Sequence, residues 1–246
     1  MDASGVVGAL IVQPINHKFD HSYVLNSIKE YPHRFKGMLL YDPSLPEEDA
    51  ISRLEDLSLK GFVGVRFNPY LWPKIGDKSW ETMSKGAGLA TYKRCAELMM
   101  PVGVMCFQGL ELHYEDILKL IKESPATTLI LDHFGFTGLS ENGDVAFQKL
   151  LALAEHPQVY VKISALFRLE DSVPYDRVRE ERLEPLLKAF GADRLMFGTD
   201  FPFVMEHDGQ YHGTVERVKS WLTDETACKA VMGGTAEKLF GEWPRS

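Results

Sequence analysis

Short, nearly continuous apolar runs alternate with amphipathic stretches along the whole chain. Residues 6–13, 35–41, 62–67, 102–107, 128–131, 159–163 and 195–197 each have strand length, and several are apolar almost throughout. That pattern marks parallel strands buried on both faces rather than half-exposed ones. Helical periodicity fills the gaps. PEEDAISRLEDLSLKG begins with a proline and an acidic first turn and stops at Gly61, as helix ends do. LATYKRCAELMM, YEDILKLIKES, VAFQKLLALAEH and YDRVREERLEPLLKAFG follow, the last with a break expected at Pro185, and DETACKAVMGGTAEKLFG closes the chain. The alternation predicts an α/β fold with a parallel sheet, carried by one domain over residues 1–246. Seven strands are one short of a closed eight-stranded barrel.

Composition narrows the function. A chain of 246 residues that is 45% hydrophobic and 25% charged fits one large globular domain with a sizeable core. The net charge of -8 argues against nucleic acid or an acidic membrane as partner. It leaves room for a small-molecule substrate, and for a homo-oligomer. Three widely spaced cysteines without a CxxC pair read as buried reduced thiols. With no signal core and no apolar run of about 20 residues, the chain is expected to be soluble and cytoplasmic. An organellar place stays open if a targeting segment precedes Met1.

Polar residues gather where the strands end. Arg66 and Asn68 share one face in GVRFNP, Lys162 and Ser164 in VYVKIS, and Gly198 and Asp200 in RLMFGTD. Charges at the ends of apolar strands are costly unless paired or used. They are therefore either site residues or internal ion pairs such as Arg66 with Asp200. LILDHFGF adds Asp132 and His133, followed by Gly135 for a sharp turn. Gln108 ends VMCFQG, where Cys106 reads as a wall residue. The longest irregular pieces are expected after Asn68 and Asp200, the second carrying His207 and His212. His17 and His21, at a polar helix entrance, are expected to be solvent-exposed. The aromatics of NPYLWP and Trp80 either line a pocket mouth or pack the loop, and DRVREERLE reads as a solvated helix face. No GxSxG, GxGxxG after a strand or GxxxxGK[ST] is present.

Taken in order, GALIVQP, GVRFN, LILDHFG, VYVKIS and RLMFGTDFPF, with the tail VMGGTAEKLFG, resemble the amidohydrolase-related (amidohydrolase-2) family. The nearest likeness is to its 2-pyrone-4,6-dicarboxylate lactonase-like branch. The resemblance implies a (β/α)8 TIM-barrel type hydrolase acting on a small carboxylate-bearing lactone or cyclic amide. Asp200 would activate water, His133 would polarise the scissile carbonyl, and Arg66 would clamp a substrate carboxylate through its bidentate fork. Arg168 loosely matches a second carboxylate-binding arginine. Asn68, Gln108 and Lys162 complete the expected substrate-binding set.

One departure from the family stands out. Its first strand carries His-x-His, which this sequence lacks, and GALIVQP resembles the second strand. The barrel is therefore expected to lack its first strand, and the chain to be N-terminally incomplete. No metal ligand is assigned, since a catalytic zinc usually takes three protein ligands. A divalent metal such as zinc is expected only if a His-x-His lies upstream. The alternatives are a metal-dependent hydrolase or decarboxylase of the same family, or a catalytically silent binding protein whose open sheet edges make it unstable or self-associating.

Overall fold

A computed structural model describes residues 1–77, 79–170 and 173–244. Its strands are β1 (Ala9–Val12), β2 (Phe35–Leu40), β3 (Phe62–Phe67), β4 (Lys74–Gly76), β5 (Ser79–Trp80), β6 (Val102–Val104), β7 (Leu129–Leu131), β8 (Val159–Ile163) and β9 (Leu195–Phe197). Seven of them form one sheet in the order β1-β2-β3-β6-β7-β8-β9, while β4 and β5 form a small antiparallel pair. The pairs β1–β2, β2–β3, β3–β6 and β8–β9 are parallel. This is the expected α/β architecture with seven main strands.

Burial explains why these segments are strands. All five residues of β8 are buried, as are all three of β6 and of β7. Their β-branched and aromatic side chains suit a pleated surface covered on both faces. The end strand β1 is different, with all four residues only half-buried.

Helices Ser22–Glu30, Glu47–Leu59, Gly86–Glu97, Tyr114–Glu123, Glu141–Ala152, Glu184–Phe190 and Gln210–Trp221 cover the connections. Glu47, Glu48 and Asp49 set negative charge on the N-terminus of the second of these, where the helix dipole favours it. The break expected at Pro185 takes the form of a widened π turn over Arg179–Leu183, directly before Glu184–Phe190. A second π turn, Ala230–Gly234, interrupts the closing helical stretch. Among the described residues no helix is long and apolar enough to cross a membrane.

The chain packs as two compact units. The first comprises Met1–Val6, Cys106–Glu111 and Leu131–Gly241; the second comprises Val7–Met105, Leu112–Ile130 and Glu242–Ser246. In the second, Leu54, Phe62, Val65, Phe67, Tyr92 and Val102 belong to the core. In the first, Val161, Ile163, Leu186, Leu195 and Val218 do.

Candidate active site

The first unit brings three consecutive strand ends together. The β8–β9 register pairs Ile163 with Phe197, and Gly198 N–H then donates to Ile163 O at 3.0 Å. Ser164 and Gly198 are thereby neighbours. A Cβ at position 198 would stand 3.3 Å from the Ser164 Cβ and 3.6 Å from Lys162 Cδ, so glycine is what lets the two strand ends close up.

His133 follows β7 and is 6% exposed. Its Nδ1 lies 2.8 Å from Ser164 Oγ, and its Nε2 lies 3.7 Å from Asp200 Oδ1. The other carboxylate oxygen, Oδ2, accepts from Arg168 Nε at 3.1 Å. The Arg168 guanidinium sits over the rings of Phe167 and Phe203, at 5.2 and 5.3 Å. Phe136 meets His133 edge-on at 5.1 Å and Phe107 meets Phe136 at 5.7 Å.

The backbone there is held in an uncommon region. His133, Phe134 and Phe136 have φ of 51, 53 and 55°, Ala165 has 55° and Asp200 has 61°. Left-handed conformations cost a non-glycine residue on the order of 1–3 kcal/mol each, and they concentrate at functional sites. Here they aim His133, Asp200 and the turn after Ser164 at one another.

Lys162 and Asp132 form a different pair. Lys162 Nζ donates to Asp132 Oδ1 at 2.5 Å, with side-chain exposures of 11% and 0%. Lys162, expected as a substrate-binding residue, is thus half of a buried ion pair. Cys106 is buried. Burial pushes its thiol well above the ordinary range, and the Asp132 carboxylate adds to the shift.

Several expectations need correction. The piece after Asp200 is not a long irregular loop: a short turn, Phe203–Glu206, leads straight into helix Gln210–Trp221. Its Gly213, Thr214 and Val215 are poor helix formers, which hid it. His212 lies in that helix, with Nδ1 3.2 Å from Ser4 Oγ, and His207 stacks on Phe167 at 4.0 Å. DRVREERLE is not wholly a solvated face. Arg182 is 2% exposed and donates to Thr137 O, Gly138 O and Asp144 Oδ1, clasping the loop that follows His133.

His21 is not exposed either. It is 5% exposed, its Nε2 accepts from Leu40 N–H at 3.0 Å, and burial first, then Arg53, lowers its pKa to about 4. His17 is exposed, as expected, and stacks on Tyr23.

The remaining predicted site residues are placed as follows. In the second unit Arg66 is buried and its Nη1 donates to Met105 Sδ at 3.2 Å. Asn68 Oδ1 accepts from Tyr70 N–H and caps the turn Pro69–Leu71. Trp72 stacks on Tyr41 at 5.0 Å and packs its loop, while Tyr70 and Trp80 meet each other and His113. Gln108, in the first unit, is exposed.

Sequence reasoning had put Ser164 on the same face as Lys162 without assigning it to the site. It had not considered Phe136, Phe167 or Phe203. Phe203 packs on Arg168 across separate strand ends and leaves no local signature, whereas Phe136 and Phe167 stand three and one positions from the His133 and Arg168 they touch.

The donor set does not fit a catalytic zinc. Such a centre takes three protein ligands. Among the described residues no group of three His, Cys, Asp or Glu side chains is placed to hold a metal ion. His133 and Asp200 are two, and Asp200 already carries a guanidinium.

The sequence pattern of the family described as Amidohydrolase matches residues 1–241. An L-fucono-1,5-lactonase from Burkholderia multivorans is 30% identical over 144 residues, which is 53% of this chain and 48% of that protein. The chain spans about half the length of the curated lactonases it matches. The crystal structure of a probable 2-pyrone-4,6-dicarboxylic acid hydrolase from Acinetobacter baumannii, with citric acid bound, is similar at a TM-score of 0.82 and 20% identity. That likeness covers 98% of this chain and 86% of the other. An amidohydrolase from Burkholderia multivorans, with zinc bound, is similar at 0.78 and 20% identity, over 98% and 85%. At such identities the likeness shows a shared fold.

Proposed function

The chain belongs to the amidohydrolase family, and from that premise we propose that it hydrolyses a small carboxylate-bearing lactone or cyclic amide. Its fold is then a TIM-barrel type with one strand fewer than eight. One observation carries the reading: Asp200 Oδ1 and His133 Nε2 stand 3.7 Å apart, beyond the ends of β9 and β7 on either side of β8. An oxygen about 2.8 Å from each atom fits between them at ordinary hydrogen-bond lengths. A base and a proton donor can thus address one reacting centre.

In this mechanism Asp200 takes a proton from water, and the hydroxide oxygen bonds to the lactone carbonyl carbon. His133 Nε2–H donates to the carbonyl oxygen as negative charge grows there. Collapse of the tetrahedral intermediate breaks the ring C–O bond, and the proton held on Asp200 passes to the departing ring oxygen. The product is an open hydroxy acid, and Asp200 is a carboxylate again.

Arg168 spends Nε on Asp200 and turns its planar Nη edge to a substrate carboxylate, backed by Phe167 and Phe203. Such a fork suits carboxylate geometry. Arg66, Asn68, Gln108 and Lys162 remain proposed substrate-binding residues, with Lys162 acting while paired to Asp132. The free cysteines Cys95, Cys106 and Cys228 support a reducing, cytoplasmic setting.

The test is turnover of a panel of small lactones, with and without a carboxylate, by wild type and Asp200→Asn. Loss of at least about a hundredfold in kcat/KM is expected, the scale of one acid–base group. An Asp200→Asn protein that matches wild type would end the assignment.

A further inference from the structure

Ser164 is 1% exposed at the end of β8, yet its hydroxyl has a hydrogen to place. Among the described residues its hydrogen-bond partner is His133 Nδ1, 2.8 Å from Oγ. Two arrangements satisfy that distance. If Nδ1–H donates to Oγ, the hydroxyl hydrogen is buried without an acceptor, which costs about 1–3 kcal/mol. If the hydroxyl donates into the Nδ1 lone pair, both groups are satisfied. The remaining proton of the neutral ring then sits on Nε2.

We infer that Ser164 is a positioning residue that fixes His133 as its Nε2–H tautomer, with that proton directed at the space beside Asp200 Oδ1. The backbone supports this assignment. Gly198 N–H anchors the end of β8 through Ile163 O, and the lack of a side chain at Gly198 lets β9 close onto Ser164. The positive φ of His133 and of Ala165 turns the ring and the serine towards each other. A histidine's tautomer is set by the hydrogen bond its other nitrogen makes. With Nδ1 occupied as an acceptor, His133 can give a hydrogen bond from Nε2 but cannot take the water proton there, so the base is Asp200.

What the proton is used for rests on the proposed hydrolase reading; where it sits does not. The experiment therefore needs no substrate. Long-range ¹H–¹⁵N correlation spectra of histidine-labelled full chain at pH 7.5 report which ring nitrogen is protonated, and His133 is assigned by the signals lost in His133→Gln. Expected is a neutral Nε2–H pattern in wild type and in Ser164→Thr, and a shifted or mixed pattern in Ser164→Ala. An Nδ1–H or doubly protonated ring in wild type overturns the inference, as does a folded Ser164→Ala with an unchanged pattern. The wild-type spectrum decides the matter even if Ser164→Ala fails to fold.

Once a lactone is found to turn over, Ser164→Ala should lower kcat by roughly tenfold or more with KM changed little, since the proton donor is mis-set and binding is not. An Nε2–H ring in a chain that opens no lactone would retire the hydrolase reading and leave the tautomer assignment standing.

Discussion

Lys162 Nζ lies 2.5 Å from Asp132 Oδ1, and the aspartate side chain is wholly shielded from solvent. At the scale of residues this pair sets the cost of tampering with the strand ends beside Ser164 and His133. Removing one partner of a buried pair leaves an uncompensated charge, which costs about 3–5 kcal/mol. Replacing both by apolar groups of similar size costs far less. Lys162→Met should accordingly lower stability by that amount in urea titrations, and Lys162→Met with Asp132→Leu should recover most of it. A double variant no more stable than the single one would show that Asp132 has other anchors of equal weight. Activity should stay low in the double variant even where stability is recovered, because it removes the proposed substrate-binding Lys162 while keeping Asp200, His133 and Ser164.

At the scale of elements, the π turn Arg179–Leu183 carries a side chain that serves a distant loop. Arg182 reaches the carbonyls of Thr137 and Gly138 and the carboxylate of Asp144, with its guanidinium 4.5 Å from the Phe147 ring. Arg182→Met removes every one of those donors while keeping length. A loss of about 1–3 kcal/mol is expected, from the buried Thr137 carbonyl left without its donor while Gly138 O keeps the Ser140 N–H, read as a lowered unfolding midpoint. Gly143 shows how tight the same corner is, since a Cβ there would fall 1.7 Å from Gly138 O.

This corner also marks where the sequence stopped being legible. Strands β3, β8 and β9 could be read to the residue, because parallel strands buried on both faces are written as uninterrupted apolar runs. Asp200 and His133 stood out for the same reason, as polar residues ending such runs. Arg182 did not, because DRVREERLE has the charge pattern of an exposed helix and only tertiary contacts bury one of its arginines. Ser164 was visible as a residue facing the same way as Lys162, but its bond to His133 spans 31 positions. The β4–β5 pair likewise lacks a strong local pattern. The antiparallel pair interrupts a segment whose composition resembles a loop.

At the scale of the whole molecule, pH acts through buried histidines. His21 and His113 are 5% and 6% exposed, and burial lowers the pKa of each to about 4 from an ordinary 6.5. Arg53 lowers His21 further, while Asp116 works against the shift at His113. Below pH 6.5 the unfolded chain takes up protons that the folded chain refuses, so folding weakens as pH falls. The loss ends only near pH 4, where the folded histidines also protonate. Each histidine can contribute up to about 3 kcal/mol across that window. Urea midpoints measured from pH 7.5 to 4.5 should fall steadily, and His113→Gln should flatten the slope. Both residues belong to the second unit, so amide exchange at pH 5 should rise there before it rises in the first.

The stack of His207 on Phe167 has a meaning in time. Its rings lie 4.0 Å apart and within 10° of parallel, and such a contact is worth about 0.5–1.5 kcal/mol. A catch that weak opens readily, and in the proposed hydrolase its opening would free one face of the ring that backs Arg168. His207→Ala is therefore expected to change KM while kcat holds, measured on whichever lactone proves to turn over.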